Sequence, residues 1–410
     1  MSTNEKIINT LLNNIDFLHI PNTANKDSVE KKVIGNLYKG LHRSYKKIKK
    51  MSKNRKISVN TIQCNNKKDI PRSSLFDSHF CVDNFNDIVN KHTKRVIVYN
   101  CVLRNIKVTI NLNNLTPGNT IHKYTIHHVL AMIDLLLSYA NITKMKTINI
   151  FLYLTDKEKT LPLSNMCVLN KEHVNSAVTY RCSVDGEILI FRKEEWLKCL
   201  IHELFHSLCL DFMELHSDIN VKSFLKTLFC IKSDYLLSES YNEWWATNLN
   251  CLLYSFMMLE NKSNKSECLS FYKVCLTTEQ MFSMLQITKV LNHMGLNYNI
   301  LIDDNVDNHI KENLYKEDSN VFCYYVIKGL LLFYNNSTID FFKKNNTSLL
   351  NFDKTPQTLR NFLNLIRKYY KTDEVKKTLQ KYSEYYSSLN KMDKTIQKLL
   401  NTTQMTLNSV

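Results

Sequence analysis

Several features that mark other protein classes are missing from this 410-residue chain. Its twelve cysteines contain no CxxC pair, no apolar leader segment begins the sequence, and glycine and arginine are scarce, at 6 and 9 residues. No charge-free apolar run reaches the roughly 18 residues that a membrane-spanning helix requires. These absences predict a cytoplasmic protein of a reducing compartment, without a transmembrane segment.

The excess positive charge is concentrated in one segment. The formal net charge is +16, and residues 31–56 contain 11 Lys or Arg and no acid. Such a segment could bind nucleic acid, an acidic protein or an anionic membrane surface, and a solvated arm without a partner is equally consistent with it. Apolar residues recur within it at helical spacing and predict a basic amphipathic helix: Val33, Leu37, Leu41, Tyr45 and Ile48.

The most informative pattern is the pentad 202–206, which reads His-Glu-Leu-Phe-His. On a helix, His202 and His206 lie on one face, so both imidazoles can reach one zinc ion, while Glu203 can polarise a metal-bound water. The apolar segment 186–191 predicts a strand in front of this helix. Residues 175–182 predict a second strand that pairs with the first as a hairpin.

A zinc site needs a third protein ligand, whose position distinguishes the metallopeptidase families. The metzincin pattern would place Gly at position 209 and His or Asp at position 212, but the chain has Cys209 and Phe212. Asp211 lies five residues after His206 and would point away from the metal face of a continuous helix. The third ligand is therefore expected farther along the chain.

A second helical stretch, 238–250, supplies the candidates. Its residues 242–246, Asn-Glu-Trp-Trp-Ala, resemble the NExxA pattern of the gluzincins, zinc peptidases whose third ligand is a Glu on a second helix. The resemblance assigns Glu243 to zinc and gives Glu239 a supporting or substrate-binding role, with the two roles open to exchange. It also implies an acid four residues after the ligand, where this chain has Thr247.

A longer series of segments within residues 95–370 is similar to an uncharacterised HExxH family of large DNA viruses. The series comprises 154–162, 174–176, 190–196, the pentad, 239–246 and 322–328. This resemblance implies a peptidase with one Zn²⁺ per chain, located in the host cytoplasm or the virion.

Two further sets of site residues are expected. Gluzincins use a downstream Tyr or His to stabilise the oxyanion, which makes Tyr324 and Tyr325 candidates, with core packing as the alternative for both. On the hairpin, Asn175, Ser176 and Ala177 would bind the main chain of a substrate that lies along it as an added strand.

The predicted fold class is α+β. Residues 1–94 form a basic, partly flexible N-terminal region that is loosely attached, 95–250 a zincin-like catalytic lobe with a mixed sheet, and 251–410 a mostly α-helical lobe. In the catalytic lobe, strands are expected at 95–103, 106–112 and 147–154, and a helix at 124–140. Outside it, helices are expected at about 4–19 and 373–400, among others.

Three functions agree with these patterns. The first is a zinc-dependent endopeptidase that uses a zinc-activated water and Glu203 as general base. The second is an enzyme of the same fold that trims chain termini. The third is a catalytically inactive structural or nucleic-acid-associated virion protein that binds through residues 31–56.

Overall fold

The computed structural model describes residues 3–18, 28–114, 121, 123–141, 143–216, 220–389 and 393–408. These residues form a mixed α/β structure with one six-stranded sheet, so the fold class is confirmed at this level. The strands are β1 (Ser58–Gln63), β2 (Arg95–Leu103), β3 (Ile106–Asn114), β4 (Thr147–Thr155), β5 (Ala177–Thr179) and β6 (Asp185–Arg192). The first eight helices are α1 (Thr3–Leu12), α2 (Val29–Lys53), α3 (Phe85–His92), α4 (Lys123–Leu137), α5 (Lys171–Val174), α6 (Trp196–Ser207), α7 (Val221–Leu228) and α8 (Leu237–Met258). The others are α9 (Lys265–His293), α10 (Tyr298–Ile302), α11 (Asn308–Leu314), α12 (Lys328–Phe333), α13 (Asn335–Asn345), α14 (Pro356–Tyr369), α15 (Asp373–Ser388) and α16 (Lys394–Asn401).

The shortest strand of the sheet, β5, forms the edge nearest to α6, the helix that contains the pentad. The strand order of the sheet is β1-β2-β3-β4-β6-β5. Strands β3, β4 and β6 are parallel, whereas β1, β2 and β5 pair antiparallel with their neighbours. The strands predicted within residues 95–112, 147–154 and 175–191 are thus confirmed, whereas β1 had not been predicted.

Both faces of the sheet are covered, as alternation along β4 shows. Ile148, Ile150 and Leu152 belong to the main core, which the sheet shares with α4, α6 and α8. Phe151 and Tyr153 point to the opposite face and pack in a second, smaller core. Residues from Cys64 to Val89, including α3, cover that face. Because successive side chains of a strand alternate between faces, the near-continuous apolar sequence of β4 follows from burial on both sides.

The N-terminal region is not loosely attached, contrary to the prediction. Helix α2 forms as its apolar spacing predicts, but its apolar residues lie in the main core, with Leu37, Leu41 and Ile48 inaccessible to solvent. Strand β1 belongs to the sheet. The predicted first helix, 4–19, is shorter in the structure because α1 ends at Leu12, and residue 19 lies outside the described residues.

After residue 250 the described chain is helical, as predicted. The predicted lobe boundary at residue 250 falls inside the continuous helix α8. The helix expected at 373–400 is divided into α15 and α16, and residues 390–392 between them lie outside the described part. No helix among the described residues is long and apolar enough to cross a membrane.

Candidate metal centre

Helices α6 and α8 bring the site together from two separate parts of the sequence. All residues of α6 are buried, because it lies between β6 and α8. His202 and His206 are one turn apart on α6, and their ring centroids are 5.0 Å from each other. The helical placement predicted for the pentad is confirmed.

The third member of the cluster is Glu239, at the start of α8. Its Oε2 atom lies 3.1 Å from His202 Nε2 and 3.3 Å from His206 Nε2. One ligand atom from each of the three residues lies within 4.8 Å of the other two, and all three side chains are buried. Two imidazoles and one carboxylate are a donor set that zinc takes in catalytic sites. The cluster could therefore hold a metal ion.

Glu243, the predicted third ligand, does not join this cluster, and the structure places Glu239 where Glu243 was expected. Its Oε1 atom lies 2.9 Å from His202 Nδ1, on the far side of the ring from Glu239. Both of its oxygens accept hydrogen bonds from Lys198 Nζ, at 2.9 and 2.8 Å. A carboxylate on the outer nitrogen of a ligand histidine fixes the orientation of its ring. The gluzincin resemblance implies an acid four residues after the ligand. If Glu239 is the ligand, that position is held by Glu243. If Glu243 is the ligand, it is held by Thr247, which is not an acid.

His206 has an acid on its outer nitrogen as well. Asp211 contacts His206 Nδ1 and also accepts hydrogen bonds from Arg181, at 2.7 Å, and Asn242, at 3.0 Å. Asp211 reaches the ring because α6 ends one residue after the pentad and Cys209 adopts a left-handed backbone conformation, with φ of 54°. The expectation that Asp211 points away assumed a continuous helix and is wrong.

These contacts determine the charges of the metal-free site. Burial lowers the pKa of His202, but hydrogen bonds to Glu239 and Glu243 and their charges outweigh it and raise this pKa to about 9. Burial also opposes protonation of His206, yet Glu239 and Asp211 hold its pKa well above the usual value. The pKa of Glu239 is held well below its usual range against the effect of burial, chiefly by the charge of His206. Without a metal, protons on the histidines balance the carboxylates.

Glu203 is the predicted general base. It is buried beside the two histidines and lines the cleft in front of them. Burial raises its pKa, while the charges of His202 and His206 lower it. A carboxylate in such surroundings accepts a proton more readily than an exposed one.

The cleft in front of the cluster has a volume of about 930 Å³ and is bordered by β5. Ser176 and Tyr180 direct their backbone hydrogen bonds to β6, through Phe191 N–H and Glu187 O. Because these bonds alternate along an antiparallel strand, the backbone groups of Ala177 and Thr179 point away from β6. Among the described residues, no strand pairs with this edge of the sheet, which lies next to the metal cluster.

The hairpin residues predicted to bind substrate line the cleft, but Asn175 has other partners. Its Nδ2 donates to Phe80 O at 3.4 Å, and its Oδ1 accepts from Ser319 Oγ at 3.2 Å. Its side chain thus ties the hairpin to both sides of the cleft. The backbone of Ala177 is the better candidate for contact with a substrate main chain.

The two tyrosine candidates lie in different surroundings. Tyr324 lines the cleft, with its ring centroid 6.1 Å from that of His202. Tyr325 is buried, and its hydroxyl donates to Thr403 O. Both are in a π-helical segment, Phe322–Ile327, a distortion frequent at functional sites. Only Tyr324 is placed to act on a bound ligand.

A buried charge network behind the cluster was not predicted. Lys198 lies between Glu243 and Glu195, and Lys159 contacts Glu195 at 2.5 Å. The network continues into a buried segment, residues 402–408, since the backbone N–H of Met405 donates to Glu195 at 2.6 Å. A series of contacts, from Glu195 through Lys198 and Glu243 to His202, therefore connects residues 402–408 with the metal cluster. No local sequence pattern indicates these long-range contacts.

One pair of cysteines forms a disulfide, whereas a reducing compartment predicts free thiols. Cys182, in the turn after β5, is bonded to Cys209, while the other ten cysteines are free. Arg181, which precedes Cys182, and Asp211, two residues after Cys209, form the ion pair behind His206. The compartment itself stays a prediction.

Comparison with known protein families, with curated proteins and with solved structures finds no match for this chain. The gluzincin resemblance and the similarity to a viral HExxH family thus stay predictions from sequence.

Proposed function

We propose that this protein is a zinc-dependent hydrolase of peptide bonds, with the sheet, α6 and α8 forming a zincin-like catalytic lobe. The observation that carries the proposal is the convergence of His202, His206 and Glu239 in a cleft that Glu203 also lines. The arrangement combines a metal-binding set, a base and an open strand edge.

The donor atoms of the cluster fit a catalytic zinc ion, and so do the acids that contact the two histidine rings. His202, His206 and Glu239 would hold the ion, and Glu243 and Asp211 would orient the two rings. Three protein ligands leave a coordination position for water or substrate, as in catalytic sites. When bound, zinc supplies a Lewis acid that polarises a carbonyl and lowers the pKa of a water molecule.

The chain's own residues account for the remaining steps. The Glu203 carboxylate accepts the proton of the attacking water and returns it to the leaving amine nitrogen. The outward backbone groups of Ala177 and Thr179 hold an extended peptide as an added strand. The hydroxyl of Tyr324 donates a hydrogen bond to the oxyanion. An extended peptide accepted by an open edge favours an endopeptidase over an enzyme restricted to chain termini.

The first experiment measures zinc per chain by elemental analysis, for wild type, Glu239→Ala, Glu243→Ala and Glu203→Gln. We expect about one zinc in the wild type and in Glu203→Gln. Zinc should be lost from Glu239→Ala, whereas Glu243→Ala should bind it about 10- to 100-fold more weakly, because only the support of His202 is removed.

Turnover is measured on a quenched-fluorescent peptide library with the same zinc-loaded proteins. Glu203→Gln should lose about 10²- to 10⁴-fold in rate while it keeps its zinc. Absence of zinc from the supplemented wild type, or full turnover in Glu203→Gln, would overturn the proposal. The first outcome would favour the catalytically inactive alternative.

A further inference from the structure

We infer that the exposed face of α2 binds double-stranded nucleic acid through its phosphates, without base recognition. All eleven basic side chains of residues 31–56 are exposed, while the apolar side of α2 is buried in the main core. These 26 residues carry eleven of the sixteen excess positive charges of the chain. The charge is thus a fixed feature of a folded surface.

Six of these cations form a single stripe. At about 100° per residue they fall within an arc of roughly 80°, and at about 1.5 Å per residue the stripe is roughly 30 Å long. Neighbours in the stripe are three, four or seven residues apart, so successive charges line up along the helix. The stripe consists of Lys32, Lys39, Arg43, Lys46, Lys50 and Lys53.

The charges of the stripe are not compensated. No carboxylate in the described part of the chain forms an ion pair with any of the six. Like charges at spacings of three and four residues, such as Lys39 with Arg43 and Lys46 with Lys50, repel each other and destabilise the helix. A bound polyanion would remove this repulsion.

A hollow in the protein surface lies beside the stripe. It has a volume of about 260 Å³ and is lined by Arg43, Lys47 and Arg104, with Ser44 and Ser138. Its one acid, Asp134, is buried and engages Lys47 at 2.6 Å and Arg104 at 3.4 Å. Three cations against one carboxylate leave the hollow positive, which suits a phosphate group of the same ligand.

The surroundings favour a duplex over the other polyanions. A membrane-binding amphipathic helix inserts its apolar face, but here that face is already buried in the protein core. Proteins that bind single strands stack bases on exposed aromatic rings, whereas Tyr38 and Tyr45 of α2 are buried. A straight stripe of cations on a helix whose own tyrosine rings are buried matches phosphate-backbone binding.

This surface is separate from the cleft, since none of the described residues that line the cleft belongs to α2. The inference therefore stands or falls independently of the proposed peptidase activity.

The test is fluorescence anisotropy with a random-sequence DNA duplex of about 30 base pairs, over salt concentrations from about 50 to 300 mM. The variant is Lys39→Gln/Arg43→Gln/Lys46→Gln/Lys50→Gln. The matched control, Arg360→Gln/Lys368→Gln/Lys377→Gln/Lys381→Gln, removes the same charge from exposed positions on α14 and α15. The thermal unfolding midpoint reports whether each variant is folded.

We expect the α2 variant to bind the duplex at least about 100-fold more weakly at 100 mM salt, with a salt slope smaller by about 3 to 4. The control should change affinity by less than about threefold, since distant surface charges are screened. An equal loss in both variants would overturn the inference. Tighter binding to polyglutamate or to phosphatidylserine vesicles than to the duplex would also overturn it, in favour of an acidic protein or a membrane.

Discussion

Charge is handled in opposite ways in the metal cleft and on α2. Behind the cleft, Lys198 is only 1% exposed and lies between the carboxylates of Glu195 and Glu243. On α2, the basic side chains of residues 31–53 face solvent, and no acidic side chain lies among them. A buried charge needs a partner at a defined position, since desolvation would otherwise neutralise it, whereas water solvates each exposed charge wherever it points. Each charge in the cleft therefore depends on one partner at a fixed position, whereas the charges on α2 act together as a patch.

The largest effect should come from breaking a buried pair. Lys198→Met keeps the length of the side chain but leaves Glu243 without its ammonium partner. We expect the free energy of unfolding to fall by about 3 kcal/mol, because the buried Glu243 carboxylate loses one of its two charged partners and keeps only His202. The measurement is urea unfolding of the metal-free protein.

Two further variants calibrate this result. Lys46→Met, on exposed α2, should change the free energy of unfolding by less than about 0.5 kcal/mol. The double variant Lys198→Met/Glu243→Leu should recover much of the loss, since it removes both charges. If Lys198→Met and Lys46→Met are equally stable, the contrast between the two regions is wrong.

The second prediction separates the regions by pH and salt. The metal-free His202, with a pKa of about 9, is protonated at pH 7 and must lose its proton to bind zinc. Because His206 also holds a proton that it must release, apparent zinc affinity should rise by more than tenfold and up to about 100-fold per pH unit between pH 7 and 9. It should change little with salt, because buried charges are weakly screened.

Competition with a chromophoric chelator at several pH values measures this affinity. Zinc affinity that is flat from pH 7 to 9 would show that the histidines are already neutral in the metal-free protein, in conflict with the carboxylate contacts on both rings.

The smallest effect is expected on α2. Lys46→Glu places an acid within one turn of Arg43, Lys49 and Lys50, and so replaces repulsion by attraction. The free energy of unfolding should rise by about 0.5 kcal/mol at low salt, and the gain should vanish at about 1 M salt. Urea unfolding at both salt concentrations measures it, with Lys46→Gln as the control that removes only repulsion. A gain that persists in high salt would mean that packing, not charge, is responsible.

The parts of the structure that follow from local periodicity were predictable. The apolar spacing of Val33 to Ile48 produces the buried side of α2, and the pentad forms on a buried helix behind a hairpin. Glu239 and Glu243 show the limit of a pattern, because both lie on the same side of α8, one turn apart. Ala246, three positions after Glu243, favoured Glu243 as the ligand, whereas the structure places Glu239 beside the two histidines.

The features that the sequence could not resolve depend on a reversal of the chain, on a shift of helical phase or on distant contacts. Asp211 reaches His206 only because the helix ends and Cys209 reverses the chain. Tyr324 and Tyr325 are adjacent, and the π-helical segment that contains them shifts the helical phase, so periodicity could not show which one faces the cleft. Residues 402–408 carry no periodic pattern, and their role appears only through contacts about 200 residues away.

The position of residues 402–408 has a consequence for biosynthesis. Met405 donates to Glu195, which precedes it by 210 residues. At about 5 to 20 residues per second, a ribosome needs about 10 to 40 s to make the chain between them. During that interval α6 exists without the segment that completes its charge network. The order of translation thus separates the synthesis of the pentad in time from the completion of the charge network around it.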